Sequence, residues 1–106
     1  IGSVVIKDRK ELSEEGVIVV SIAIDFKNKK LMNNPDIISR GFVNVNESME
    51  LFGQSKVIVK EAVLAALSNE ECGVYQIRQQ ILESLGQFLE SEIGRKPVIL
   101  PTILEV

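Results

Sequence analysis

Residues 17–26, VIVVSIAIDF, constrain the fold more than any other stretch. Side chains of an extended chain alternate between two faces. One face here carries Ile18, Val20, Ile22, Ile24 and Phe26, all large and apolar. The other carries Val17, Val19, Ser21, Ala23 and Asp25, which are smaller and partly polar. The first face demands cover from the chain's own helices. The second face is too apolar to be left wholly to water. Gly16 precedes the strand and the polar run Lys27-Asn28-Lys29-Lys30 follows it, so a hairpin turn is expected there.

The return strand is expected to be interrupted. Leu31 and Met32 start it, Asn33-Asn34-Pro35-Asp36 disturb it, and Ile37 to Val45 resume it. Pro35 has no N–H to donate to a ladder, which predicts a bulge or an edge position. Gly41 predicts a bend or a close backbone approach. Two helices follow. The first is expected over residues 47–67, with Asn46 as N-cap and Glu47 and Glu50 at the positive end of its dipole. Phe52, Ser55, Val59, Ala62, Val63 and Ala66 share one of its faces. The second helix is expected over residues 74–93, with Val74, Ile77, Ile81, Leu85, Phe88 and Leu89 as its stripe and Gly94 as its C′ residue. Residues 97–106 form a last, strongly apolar strand, with Pro101 demanding an edge or a bulge.

The expected architecture is α+β. It is an open two-layer sandwich of three strands on two helices, in the order β-β-α-α-β. At 106 residues it is one domain, with residues 1–15 a lead-in from a linker. Valines and isoleucines remain for the far side of the sheet, and Val17, Val19, Ile99 and Ile103 are the candidate self-association face. The occupant of that face is either a second copy or another domain of a longer protein.

Chemistry-bearing motifs are sparse. The chain has no His, which removes Ser-His-Asp and Cys-His nucleophile systems and any His-ligated zinc site. One cysteine removes an internal disulfide and a cysteine-cluster metal site. The seven glycines are isolated, so no phosphate-cradling loop exists. Cys72 lies beside Glu70 and Glu71, whose charges would raise its pKa and blunt it as a nucleophile. No catalytic, cofactor or metal residue is therefore assigned.

The net charge is −3. Residues 1–46 hold seven basic and six acidic side chains, and residues 47–106 hold five and nine. Bulk electrostatics thus argue against a free-standing nucleic-acid binder. A weak RNA contact would use Lys7, Arg9, Lys10, Arg40, Arg95 and Lys96. Each has a plainer reading: a solvated charged run, an Arg paired with Asp36 or a glutamate of the second helix, and cations at a helix C-terminus. No stretch approaches a membrane span, and no signal-peptide pattern opens the chain. With its single cysteine the chain is expected in the cytoplasm, and a start at Ile1 suggests a piece of a longer protein.

Three places carry a resemblance. Lys7-Asp8-Arg9, then Leu12-Ser13-Glu14-Glu15-Gly16, runs into the aliphatic strand. Pro35-Asp36-Ile37-Ile38-Ser39-Arg40-Gly41-Phe42-Val43 is followed by Glu47-Ser48. Phe88-Leu89, then Arg95-Lys96-Pro97-Val98-Ile99-Leu100-Pro101, closes on Leu104-Glu105-Val106. In order and spacing this series resembles the C-terminal domain of bacterial ribonuclease J. The resemblance implies a parent enzyme with a metallo-β-lactamase core and an inserted β-CASP domain, a zinc-dependent endo- and 5′-to-3′ exoribonuclease. Zinc belongs to that core and not to this piece. The resemblance further implies a non-catalytic domain that supports association as a homodimer or a heterodimer with a paralogue, contacts the core of its own chain, and meets RNA through the parent. Asn44 and Asn46 stand where the family often has an aromatic and a basic residue, and no Trp precedes the second helix. These departures fit a divergent paralogue.

Overall fold

The structure is a computed structural model that describes the backbone of residues 16–41 and 45–106 and the side chains of residues 16–41 and 49–106. The expected strand at residues 4–6, the charged run at 7–11 and the side chains of Lys7, Arg9, Lys10, Phe42 and Asn46 lie outside the described residues. The elements in chain order are β1 (Val17–Asp25), β2 (Lys30–Leu31), β3 (Asp36–Arg40), α1 (Val45–Leu67), α2 (Val74–Ile93) and β4 (Val98–Glu105).

The sheet is mixed and open. β1 pairs antiparallel with β2 and β3, and parallel with β4. Its ladder with β4 runs unbroken from Val17 to Ile24, so β2 and β3 must share the opposite edge. The expected return strand is therefore present but split, giving β-β-β-α-α-β and four strands where three were expected. The cause is local. Between the two pieces, Met32 N–H donates to the Ala23 carbonyl at 2.7 Å, and Asn33 Oδ1 accepts the Ala23 N–H at 2.8 Å. An asparagine side chain thus stands in for a ladder carbonyl where Pro35 interrupts regular pairing.

One face of β1 makes the core. Ile18, Val20, Ile22 and Ile24 are buried, each contributing about 1.5–3 kcal/mol of transfer free energy. They meet Val59, Val63 and Leu67 of α1 and Ile77, Ile81, Leu85 and Leu89 of α2. The four α2 residues recur every fourth position, as a helix with one buried face requires. Two boundary findings refine the sequence reading. α1 begins at Val45, so Asn46 lies in its first turn and is not its N-cap. α2 is capped by Gln76 Oε1, which accepts the Gly73 N–H at 2.9 Å, and ends at Gly94, whose N–H donates to the Glu90 carbonyl. Ser55 is buried in the apolar face of α1, and its Oγ has no hydrogen-bond partner.

Pro101 sits in β4 without cost to the ladder. Val98 and Val106 turn their N–H groups to the carbonyls of Gly16 and Ile24. Even-numbered residues of β4 therefore point their amides at β1, and position 101 points outward, where a missing N–H is harmless.

The start of β1 depends on two glycines. Gly16 (φ 83°) and Gly41 (φ 65°) face each other where β1 and β3 meet. A Cβ on Gly16 would lie 2.6 Å from the Gly41 carbonyl oxygen, whereas one on Gly41 would meet nothing closer than 3.9 Å. Gly16→Ala should thus cost about 2 kcal/mol or more, from strain and clash together, and Gly41→Ala about 1 kcal/mol from strain alone. Urea melts of both variants check the order; equal losses would contradict it.

Candidate association face

The far side of the sheet is built row by row from the strand registers. Arg40, Val17 and Val98 form the first row, and Ile38, Val19 and Leu100 the second. Asp36, Ser21 and Thr102 form the third. Ala23 and Leu104 form the fourth, with Met32 beside Ala23 through its hydrogen bond. Among the described residues no helix covers this side. Ile38 is 49% exposed, Leu100 48% and Leu104 65%, so the second and fourth rows offer aliphatic surface to solvent. A polar row separates them.

Two of the four residues expected on this face are there: Val17 and Val19, both half-buried. Ile99 and Ile103 are not. They pair with Ile18 and Ile22 and pack on the core with the helices. The parallel register turns Ile99 and Ile103 to the helix side and Val98, Leu100 and Leu104 to the far side. Both sides are apolar, so composition does not distinguish them; the parallel register with β1 does. Val98, Leu100 and Leu104 take the places assigned to Ile99 and Ile103.

The candidate RNA residues divide. Arg40 is exposed at the end of β3, where one guanidinium nitrogen donates to the Ser39 carbonyl at 3.3 Å. Lys96 pairs with Glu90 of α2 at 3.6 Å, both exposed, a contact worth little in water. Arg95 is exposed beside it. These three gather near the Val17 end of the sheet. Sequence reasoning passed over Lys29, Lys30 and Lys60, which line a cleft of about 370 Å³ at the other end. The dense run of lysines in the β1–β2 turn was the available signal.

Among the described residues two titrating groups are perturbed. Burial pushes the Cys72 thiol up, with the Lys29 charge opposing. The direction matches expectation, but the cause is desolvation and not Glu70 and Glu71. At neutral pH the thiol stays protonated and is a poor nucleophile. Asn28 holds the Asp25 carboxyl below its ordinary value of 3.8, its side-chain amide donating at 2.7 Å and its backbone N–H at 3.2 Å. Among the described residues no cluster of three or more metal-ligating side chains occurs, and the chain has no His, so these residues do not fit a zinc centre. No described helix is long and apolar enough to cross a membrane.

An open α+β sandwich with aliphatic rows on the sheet face that the described helices leave uncovered defines the structural class. The Ribonuclease J C-terminal domain family matches residues 4–106. Ribonuclease J2 of Bacillus subtilis is 39% identical over 106 residues, covering all of this chain. Ribonuclease J 1 of Streptococcus pyogenes is 35% identical over 104 residues, or 98% of it. Ribonuclease J 2 of Staphylococcus aureus is 33% identical over 106 residues. The chain spans 19% of the length of each of these relatives. It belongs to the ribonuclease J C-terminal domain family.

The Asp25 shift gives a pH prediction. A depressed carboxyl stabilises the turn at pH values above its unfolded pKa, and that contribution is lost as pH falls through the folded one. The Asn28 amide resonance should titrate with a midpoint below 3.8, and Asp25→Asn should abolish the titration. A midpoint at or above 3.8 would contradict the geometry.

Proposed function

We propose that this domain is a non-catalytic association module of a ribonuclease J-type enzyme, and that its bare sheet face is where two copies meet. The Ile38–Val19–Leu100 row is the observation that carries this reading. The parent's hydrolytic RNA chemistry and its metal belong to the remaining four-fifths of such an enzyme, in the cytoplasm.

A second copy suits the face better than an unrelated surface, because the face is self-complementary. Asp36 and Arg40 flank Ile38 on the same strand with opposite charges. A two-fold axis lying along the second row stacks Ile38, Val19 and Leu100 on their own counterparts. It also sets Arg40 of one copy against Asp36 of the other. Isologous contacts of this kind are the commonest way in which identical chains associate. Sheets stacked face to face lie about 10 Å apart, with side chains of both filling the gap. A paralogue with the same row of aliphatics would fit equally.

Val19→Asp and Leu100→Asp each place a charge in that gap. Each should weaken self-association by about 2 kcal/mol or more, roughly thirtyfold, and leave the helical circular dichroism intact. Sedimentation equilibrium over a range of concentrations reads the outcome. A wild-type chain that stays monomeric throughout, or variants that dimerise as well as wild type, would defeat the proposal. Ile103 is unsuitable for this test, since a charge there enters the core.

A further inference from the structure

The β1–β2 turn, the bulge after β2 and the exposed side of α1 border the open cleft of about 370 Å³. Lys29, Lys30, Leu31, Met32, Asn33, Asn34, Lys60 and Leu64 line it, without a carboxylate among them. Its polar side chains are nearly all donors. Asn33 has its oxygen committed to the Ala23 N–H, which leaves its amide hydrogens for an outside acceptor. No ion pair within 4 Å engages Lys29, Lys30 or Lys60 among the described residues. The acid whose charge reaches Lys30, Asp25, is already hydrogen-bonded to Asn28. Lys29 is the one described residue other than glycine with a positive φ, 54°, a conformation that a glycine would hold more cheaply.

A lining of donors without a carboxylate selects an anion. The positive strip also outruns the cleft: Lys27 extends it along the turn, and Lys56 along α1, one helical turn or about 6 Å from Lys60. One small anion would fill the cleft and leave those two unused, whereas a chain of phosphates would use them all. We propose that this cleft holds the phosphodiester backbone of single-stranded RNA through Lys29, Lys30 and Lys60. The choice of RNA over other polyanions rests on the ribonuclease reading above. The site is sequence-tolerant, because its lining has no aromatic ring on which a base could stack. It lies at the opposite end of β1 from Arg40 and Lys96, roughly 26 Å away at the rise of a strand. Through Lys30 and Met32 the cleft reaches the last rows of the sheet's far side, and it leaves the Ile38–Val19–Leu100 row open to a second copy.

Fluorescence anisotropy of a labelled, mixed-sequence single-stranded RNA tests the site. At low salt the wild-type chain should bind, and the triple variant Lys29→Gln/Lys30→Gln/Lys60→Gln should bind roughly tenfold more weakly or worse. The slope of log K against log salt should fall by about 2, since each phosphate contact contributes about 0.7. The variant Arg40→Gln/Lys96→Gln should bind like wild type. Amide shift changes on RNA addition should centre on residues 29–34 and 60. No binding by wild type, equal binding by the triple variant, shifts centred on Arg40 and Lys96, or full displacement by inorganic phosphate alone would each overturn the proposal. Sedimentation of the triple variant keeps the two readings apart. None of the three lysines belongs to the Ile38–Val19–Leu100 row proposed for association, so sedimentation reads dimerisation apart from RNA binding.

Discussion

Strand β1 is hydrogen-bonded along both edges, and the sheet exists only because of it. β2, β3 and β4 each pair with β1 and not with one another. Its inner face also supplies four of the buried aliphatics on which both helices rest. Every spatial relation that matters follows from this strand. The antiparallel edge places Ile38 beside Val19, and the parallel edge places Leu100 on the other side. The near end gathers Arg40 and Lys96, and the far end carries the lysine turn. The glycine pair at its start and the Asp25–Asn28 clamp at its end fix where pairing begins and stops.

The two proposed activities use different physics and different key residues, with Lys30 and Met32 at the border between them. Association relies on aliphatic area that the domain's own helices leave bare, where burial is non-directional and a pair of opposite charges sets orientation. RNA contact relies on ammonium groups held near one another without carboxylate partners, where the energy is electrostatic and salt-sensitive. A chain with a net charge of −3 can support the second only by concentrating its positive charge. The turn from Lys27 to Lys30 and the Lys56–Lys60 pair do that, while the glutamates are carried largely on the helices and the loop between them.

Much of the fold was legible because local rules and tertiary demands agree. The alternation of β1, the stripe of α2 from Ile77 to Leu89, the interruption at Pro35 and the stop at Gly94 each have a local cause. The resemblance to ribonuclease J, carried by short runs in order, was legible for the same reason. The count of strands was less so. Asn33 satisfies the Ala23 amide with its side chain, which breaks the return strand in two, and no pattern rule anticipates that substitution.

The sequence by itself determined that β1 is a two-faced apolar strand, that two amphipathic helices follow it, and that the chain has no histidine for hydrolytic or zinc chemistry. Only the tertiary structure decided which side of β4 meets the helices. With Val98, Leu100 and Leu104 on one side and Ile99 and Ile103 on the other, hydropathy is nearly equal. The in-register parallel pairing with β1 breaks the tie by setting Ile99 beside Ile18. The lysine cleft was likewise out of reach of pattern reading. Lys30 and Lys60 are thirty positions apart in the chain, and the packing of α1 against the bulge is what brings them to one opening.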